Sequence, residues 1–256
     1  MIHPSALIDD SAEIAGDVKI GPYCVIGADV KIGAGCELKS HVVIGPHTEL
    51  GENNVVYPFA CLGESPQDKK FDEEQTRLKI GSQNTIREYV TMNRGTVDDR
   101  QVTEVGDDNW IMAYVHIAHD CVVGNHTIMA NATTLAGHVH IGDYVILGGF
   151  TKIHQFCRIG AHAFTAMDTA MQKDVPPFVM AHGSPAKPRA INFEGLKRRG
   201  FSQGRIRMIK KAYKLLYQSD LALVDALDAM QSLVSESSDV QSMVEFIQAS
   251  QRSIIR

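Results

Sequence analysis

Aliphatic side chains recur at every sixth position through the first two thirds of the chain. Ile8, Ile14, Ile20, Ile26, Ile32, Leu38, Ile44, Leu50, Val56 and Leu62 are ten consecutive hits. With 44% of residues hydrophobic, a fixed frame would do this by chance in roughly 3 of 10,000 trials. The frame returns at Ile80, Ile86 and Met92. It restarts one residue later at Val105, Ile111, Ile117, Val123, Met129, Leu135, Ile141, Leu147, Ile153 and Ile159. Six residues advance a helix by about 600°, so these side chains would not share a helical face. In extended chain six is an even step, and they all point one way.

The pattern predicts a parallel β-helix of hexapeptide repeats. Three hexads make one triangular coil of 18 residues, and coils stack at about 4.8 Å, the inter-strand spacing. Gly often follows the aliphatic position (Gly21, Gly27, Gly33, Gly45, Gly124, Gly142, Gly160), where a sharp corner is expected to need a positive φ. Two positions before the aliphatic stands a small residue. Cys24, Cys36, Cys121 and Cys157 fall there and are expected to be buried packing residues. Two stretches leave the frame, Glu64 to Lys79, which keeps phase, and Asn93 to Glu104, which breaks it. Long loops on a rigid scaffold are where function concentrates.

After Asp174-Val175-Pro176-Pro177 the sixes stop. Ile206, Ile209, Tyr213 and Leu216 recur at helical spacing behind Ser202, a suitable N-cap. Leu221 to Leu233 and Val240 to Ile247 read as two further helices, expected to pack against the end of the prism. The chain thus divides into residues 1–190, the β-helix with loops at about 64–79 and 93–104, and residues 191–256, a helical domain.

Composition narrows the function. The net charge of -5 argues against a polycation seeking nucleic acid. No basic n-region precedes an apolar stretch at the start, and no run of 18 apolar residues occurs, so a signal peptide and a membrane span are not expected. Five cysteines without a CxxC pair fit a reducing cytoplasm. Between Lys187 and Lys214, ten basic residues face one acid, Glu194. Such a run is either a solvated face or a surface for an anionic partner.

The 18-residue coil gives the histidines a geometry. His119, two residues past Ile117, is followed 18 residues on by Gly137 and again by Gln155, so the three form one column, with His138 and His154 close by. A histidine is the side chain best suited to take a proton from a hydroxyl near neutral pH. Asp120 can orient the ring, and the side-chain-free amide of Gly137 can face a developing oxyanion. A zinc site of His116, His119 and His138, as in β-helical carbonic anhydrases, is the metal alternative. A non-catalytic β-helix used for assembly is the third reading.

Several segments carry a closer likeness. They are His116-Ile-Ala-His119-Asp120-Cys121, Leu135-Ala136-Gly137-His138-Val139, Ile153-His154-Gln155-Phe156-Cys157, Gln67-Asp68 through Lys70, Arg94-Gly95-Thr96, and Asn192 to Gly200. Together they resemble the acyl-carrier-protein-dependent UDP-N-acetylglucosamine O-acyltransferases of lipid A biosynthesis. The resemblance implies a left-handed coil and a cytoplasmic homotrimer with active sites between neighbouring prisms. The reaction it implies moves a (3R)-3-hydroxyacyl group from carrier-protein thioester to the sugar 3-OH, without a cofactor or metal. It implies His119 as general base, Asp120 as its orienter and Gly137 as oxyanion donor. Asp68 and Lys70 would contact sugar and acyl portions, and His116, His138 and His154 the sugar and pyrophosphate. Gln155, Asn192 and Glu194 would hold the nucleoside, and Arg198 or Arg199 a phosphate. The basic run then faces the acidic carrier protein. Two positions depart from the family: Asn93 stands where His is frequent, and Met167 where several members carry Gly at the end of the acyl channel. Met167 predicts a shorter acyl chain, around ten carbons. The same enzyme acting on an amino-sugar nucleotide remains an alternative. The N-acyltransferase of the next acylation is disfavoured, because it carries an additional N-terminal domain whereas the sixes here begin at Ile8.

Overall fold

The computed structural model describes residues 1–256. Strands of mostly two residues repeat around a left-handed prism and stack into three sheets of nine, eight and ten strands. All pairings are parallel except the last, Val179–His182 with Lys187–Ile191. Uninterrupted coils pair residues 18 apart, as in Ile26 with Ile44 and Ile117 with Leu135. The aliphatic of each hexad points inward: Ile44, Leu62, Ile117 and Leu135 are wholly buried. One continuous core runs from Val18 to Ile255, through prism and helices alike.

The two interruptions are a first loop over 65–76 and a second over 94–101, each between strands that remain in register. Leu62 pairs with Met92, 30 residues on, so the first loop adds whole hexads and keeps phase. Met92 pairs with Ile117, 25 residues on, so the second shifts the frame by one.

Apart from Gly63, which has the expected positive φ of 89°, the glycines after the aliphatic position serve a different purpose from the expected one. Positive φ falls two residues later, at Tyr23 (59°), His41 (60°), Asp120 (57°) and His138 (63°) among others. An L residue pays about 1–2 kcal/mol for that conformation. Corner-to-corner hydrogen bonds offset part of it, as from His41 N to Pro22 O at 2.9 Å. So do stacked rings, such as Phe59 on Tyr89 and Tyr89 on Tyr114, with centroids 5.1 and 4.9 Å apart. Gly follows the aliphatic because coils press together there. A Cβ on Gly21 would lie 2.8 Å from the carbonyl carbon of Lys39, and one on Gly33 2.7 Å from that of Gly51.

Cys24, Cys36, Cys121 and Cys157 are buried in the prism, and all five thiols are free. Burial pushes the Cys121 thiol up to about 12, which makes it inert packing.

Four helices follow: α1 (Phe193–Arg198), α2 (Gln203–Tyr217), α3 (Leu223–Val234) and α4 (Ser238–Gln248). Ser202 caps α2, accepting from Arg205 N. The chain end returns to the prism at Asp174, whose carbonyl accepts from Ile255 N at 2.9 Å and whose carboxylate accepts from Ser250 Oγ at 2.7 Å. No helix is long and apolar enough to cross a membrane.

Candidate active site

Both loops leave the prism at the same edge, between the nine-strand and eight-strand sheets. On this edge His119, Gly137 and Gln155 hold equivalent places in successive coils. His138 N donates to His119 O at 3.0 Å, and Phe156 N donates to Gly137 O at 3.2 Å. The corner leaves the Gly137 N–H without a partner in the chain. The His119 ring lies against Gly137 so closely that a Cβ there would sit 2.7 Å from Nε2.

Asp120 turns inward at the corner and is fully buried. Its Oδ2 meets His119 Nδ1 at 2.9 Å. Thr96, from the second loop, donates its N–H to the same carboxylate at 3.0 and 3.1 Å, and its hydroxyl at 2.6 Å. Asp120 N donates to Thr103 Oγ1 at 2.8 Å. Burial pushes the Asp120 pKa upward. The hydrogen bonds from His119 and Thr96 outweigh it, and the net shift is below the usual carboxylate value. An ionised carboxylate only accepts, so His119 carries its proton on Nδ1 and Nε2 is the basic nitrogen.

A cleft of about 870 Å³ opens around this column. Of the expected residues, Asp68, Lys70, His119, His138 and Gln155 line it. Thr96, Asp99, His140, Phe156 and Arg158 also line it; none has a role assigned from sequence, although Thr96 and Phe156 lie in segments that carry the family likeness. His138 stacks on Phe156 at 4.3 Å, and His140 pairs in register with Arg158. The 18-residue step alone pairs both. A groove of about 840 Å³ on the eight-strand sheet is similar in size. It is lined by an alternating ladder of Glu13, Lys31, Glu49 and Lys79, with no histidine or thiol, so the chemistry points to the edge cleft.

Other expected residues lie elsewhere on the chain. His116 is on the outer face of the nine-strand sheet, its Nδ1 2.8 Å from Thr91 Oγ1. Burial, then the neighbouring His119, lowers its pKa. His154 is exposed just before Gln155, in a shallow depression with Thr134 and Lys152. Asn192 caps α1 and donates from Nδ2 to His162 O at 2.9 Å, while Arg199 lies 5.1 Å over the Tyr144 ring. Glu194 and Arg198 are exposed on α1. His162 and Tyr144 belong to the second edge, between the eight-strand and ten-strand sheets. Met167 is on the third edge, 73% exposed. One chain therefore spreads the expected site over three edges. Asn93, buried, donates to Ser65 O at 2.8 Å and ties the two loops together.

The residues that offer a metal three convergent atoms, all within 4.8 Å of one another, are His119, Asp120 and His138. His116 is outside this group, so the zinc arrangement anticipated for it does not assemble. The Nδ1 atoms of the two histidines are already held by carboxylates.

The whole chain aligns with acyl-[acyl-carrier-protein]--UDP-N-acetylglucosamine O-acyltransferase of Thiobacillus denitrificans, 56% identical and covering 100% of this chain and 99% of that protein. LpxA from Acinetobacter baumannii superposes with a TM-score of 0.97 at 47% identity, covering 100% and 99% of the two chains. The UDP-N-acetylglucosamine acyltransferase of Francisella novicida gives 0.98 at 43% identity, covering 100% and 94%. Residues 174–255 match the family model for the second domain of Udp N-acetylglucosamine O-acyltransferase, and residues 103–137 that for the bacterial transferase hexapeptide. With the full length aligned at this identity, the chain belongs to the UDP-N-acetylglucosamine O-acyltransferase family.

Proposed function

We propose that the protein transfers a (3R)-3-hydroxyacyl group from acyl carrier protein to the 3-OH of UDP-N-acetylglucosamine, the first step of lipid A biosynthesis. The observation that carries this reading is the column in which a carboxylate-oriented imidazole lies against a side-chain-free amide. His119 Nε2 takes the proton of the 3-OH as that oxygen attacks the thioester carbonyl. The Gly137 N–H donates to the oxyanion that forms. Collapse makes the C–O ester bond and breaks the C–S bond. The imidazolium, steadied by Asp120, returns the proton to the departing thiolate, and no cofactor enters the balance.

The spread of site residues over three edges supports a shared site. Asn192, Glu194, Arg198 and Arg199 would cradle the nucleoside and a phosphate for the histidine edge of a neighbouring copy. The family resemblance makes the closed assembly a cyclic homotrimer, and the spread over three edges is consistent with it. Asp68 and Lys70 contact sugar and acyl groups, His138 lines the sugar and pyrophosphate with His116 and His154 on the adjoining face, and Gln155 meets the nucleoside end. Met167 stands at the far end of the acyl path and favours a chain of about ten carbons.

The basic run supports carrier-protein docking. Lys197, Arg198, Arg207, Lys210, Lys211 and Lys214 are exposed, and the run's sole ion pair is Arg205 with Asp239. Such a surface steers an acidic partner. Five free thiols fit the cytoplasm.

Mass spectrometry of the product from UDP-N-acetylglucosamine and a mixed pool of hydroxyacyl carrier proteins tests the reading. A mono-O-acylated nucleotide sugar carrying about ten carbons is expected. An unmodified acceptor, with donors intact, would reject it.

A further inference from the structure

The second loop reaches the catalytic edge at two points. Thr96 is the first. The second is Asp99, whose Oδ2 lies 2.6 Å from His138 Nδ1. The His138 ring is clamped between neighbours, with Phe156 stacked on it at 4.3 Å and 8°, and His119 meeting it edge-on at 4.9 Å and 89°. Stacking fixes the plane of an imidazole but not its facing. A half-turn of the ring leaves the stack intact and exchanges nitrogen for carbon at both edges. It is also silent on which nitrogen carries the proton. The bond to Asp99 settles both, because a carboxylate accepts only from N–H and leaves Nε2 as the free ring nitrogen.

We infer that Asp99 is a positioning residue that acts through His138, fixing the ring's facing and tautomer for the acceptor. The cleft therefore holds two interlocked carboxylate–imidazole pairs, Asp120 with His119 and Asp99 with His138, both organised by one loop. The second pair serves binding of the nucleotide sugar, while the first serves proton transfer. This inference rests on the acyltransfer reading for its substrate, but its geometric half stands apart from it.

The test uses Asp99→Ala, which removes the acceptor, and Asp99→Asn, which keeps an acceptor oxygen. In the full-length protein, 15N NMR of histidine is expected to show His138 as a single Nδ1–H tautomer, lost in Asp99→Ala and regained in Asp99→Asn. The KM for UDP-N-acetylglucosamine should rise about tenfold in Asp99→Ala with kcat within about twofold, as for loss of one charge-assisted bond. The Asn variant should recover most of this. Adding Asp99→Ala to His138→Gln should cost nothing further. An unchanged His138 spectrum and KM in Asp99→Ala would overturn the inference, as would full additivity with His138→Gln. If the wild type turns over no nucleotide sugar, the acyltransfer reading fails, and the NMR comparison still decides the link between Asp99 and His138.

Discussion

A Cβ built on Gly137 would lie 2.6 Å from Cε1 of His119. No side chain fits between this amide and that ring. Gly137→Ala must push the imidazole off the edge and away from Asp120, and displacements of about 1 Å can cost 100-fold in turnover. We expect kcat to fall by about that factor with the melting temperature little changed. Steady-state kinetics beside a thermal melt checks this, and kcat within threefold of wild type would contradict it.

Asp120, the proposed orienter of His119, also bears on acid stability. Its pKa is lowered by folding, so its contribution is fully present above the unfolded carboxylate value and is lost as pH falls through the folded one. Asp120→Asn should remove that part of the acid dependence. It should also lower stability at pH 7 by about 1–3 kcal/mol, since the Thr96 and His119 donors lose a charged acceptor. Denaturant titrations of both proteins between pH 7 and 3 measure both effects.

His162 on the second edge is half-buried and is held as the neutral ring. Burial, then the nearby Arg199, pushes its pKa down to about 4. The unfolded chain takes up this proton near pH 6.5, while the fold refuses it until about 4. Stability therefore falls as pH drops through that window. His116 and His140, also lowered, act in the same direction, so the informative quantity is a difference. His162→Phe, which can stack on Tyr144 and Phe178, should reduce the pH slope of unfolding free energy by about one proton. An unchanged slope would refute the assignment.

Met167→Gly should move donor preference toward longer acyl chains. Discrimination of about 1–3 kcal/mol is expected for a methylene or two. Competition between ten- and fourteen-carbon hydroxyacyl carrier proteins reads this directly, and an unaltered ratio would remove Met167 as the ruler.

Because Asn192 and Arg199 stand on a different edge from His119, two dead variants should rescue each other. Co-assembled His119→Ala and Arg199→Ala chains are expected to regain about a quarter of wild-type activity, since random assembly of the proposed trimer restores one site in each mixed assembly. No recovery in verified mixed assemblies would argue against a site built across copies.

The coil period made much of this molecule legible in sequence. An even spacing of aliphatics fixes which residues face inward, and an 18-residue step fixes which lie above one another, so the column of His119 and Gly137 followed from counting. Relationships outside that periodicity did not. Thr96 reaches Asp120 across 24 residues and Asp99 reaches His138 across 39, and both distances depend on how one loop folds back. The glycines misled because the repeat marks where they occur but not why. Coil-to-coil contact, a tertiary effect, excludes a side chain there, while residues such as Tyr23 and His41 bear the left-handed backbone. The place of Asn192 depends on the antiparallel turn between Val179–His182 and Lys187–Ile191, which no six-residue pattern describes.

The central claim is that His119 takes the proton from the acceptor hydroxyl, and turnover of His119→Ala measures it most directly. With circular dichroism and melting matched to wild type, kcat/KM should fall by roughly three orders of magnitude or more. Turnover within tenfold of wild type in the folded variant would contradict the account.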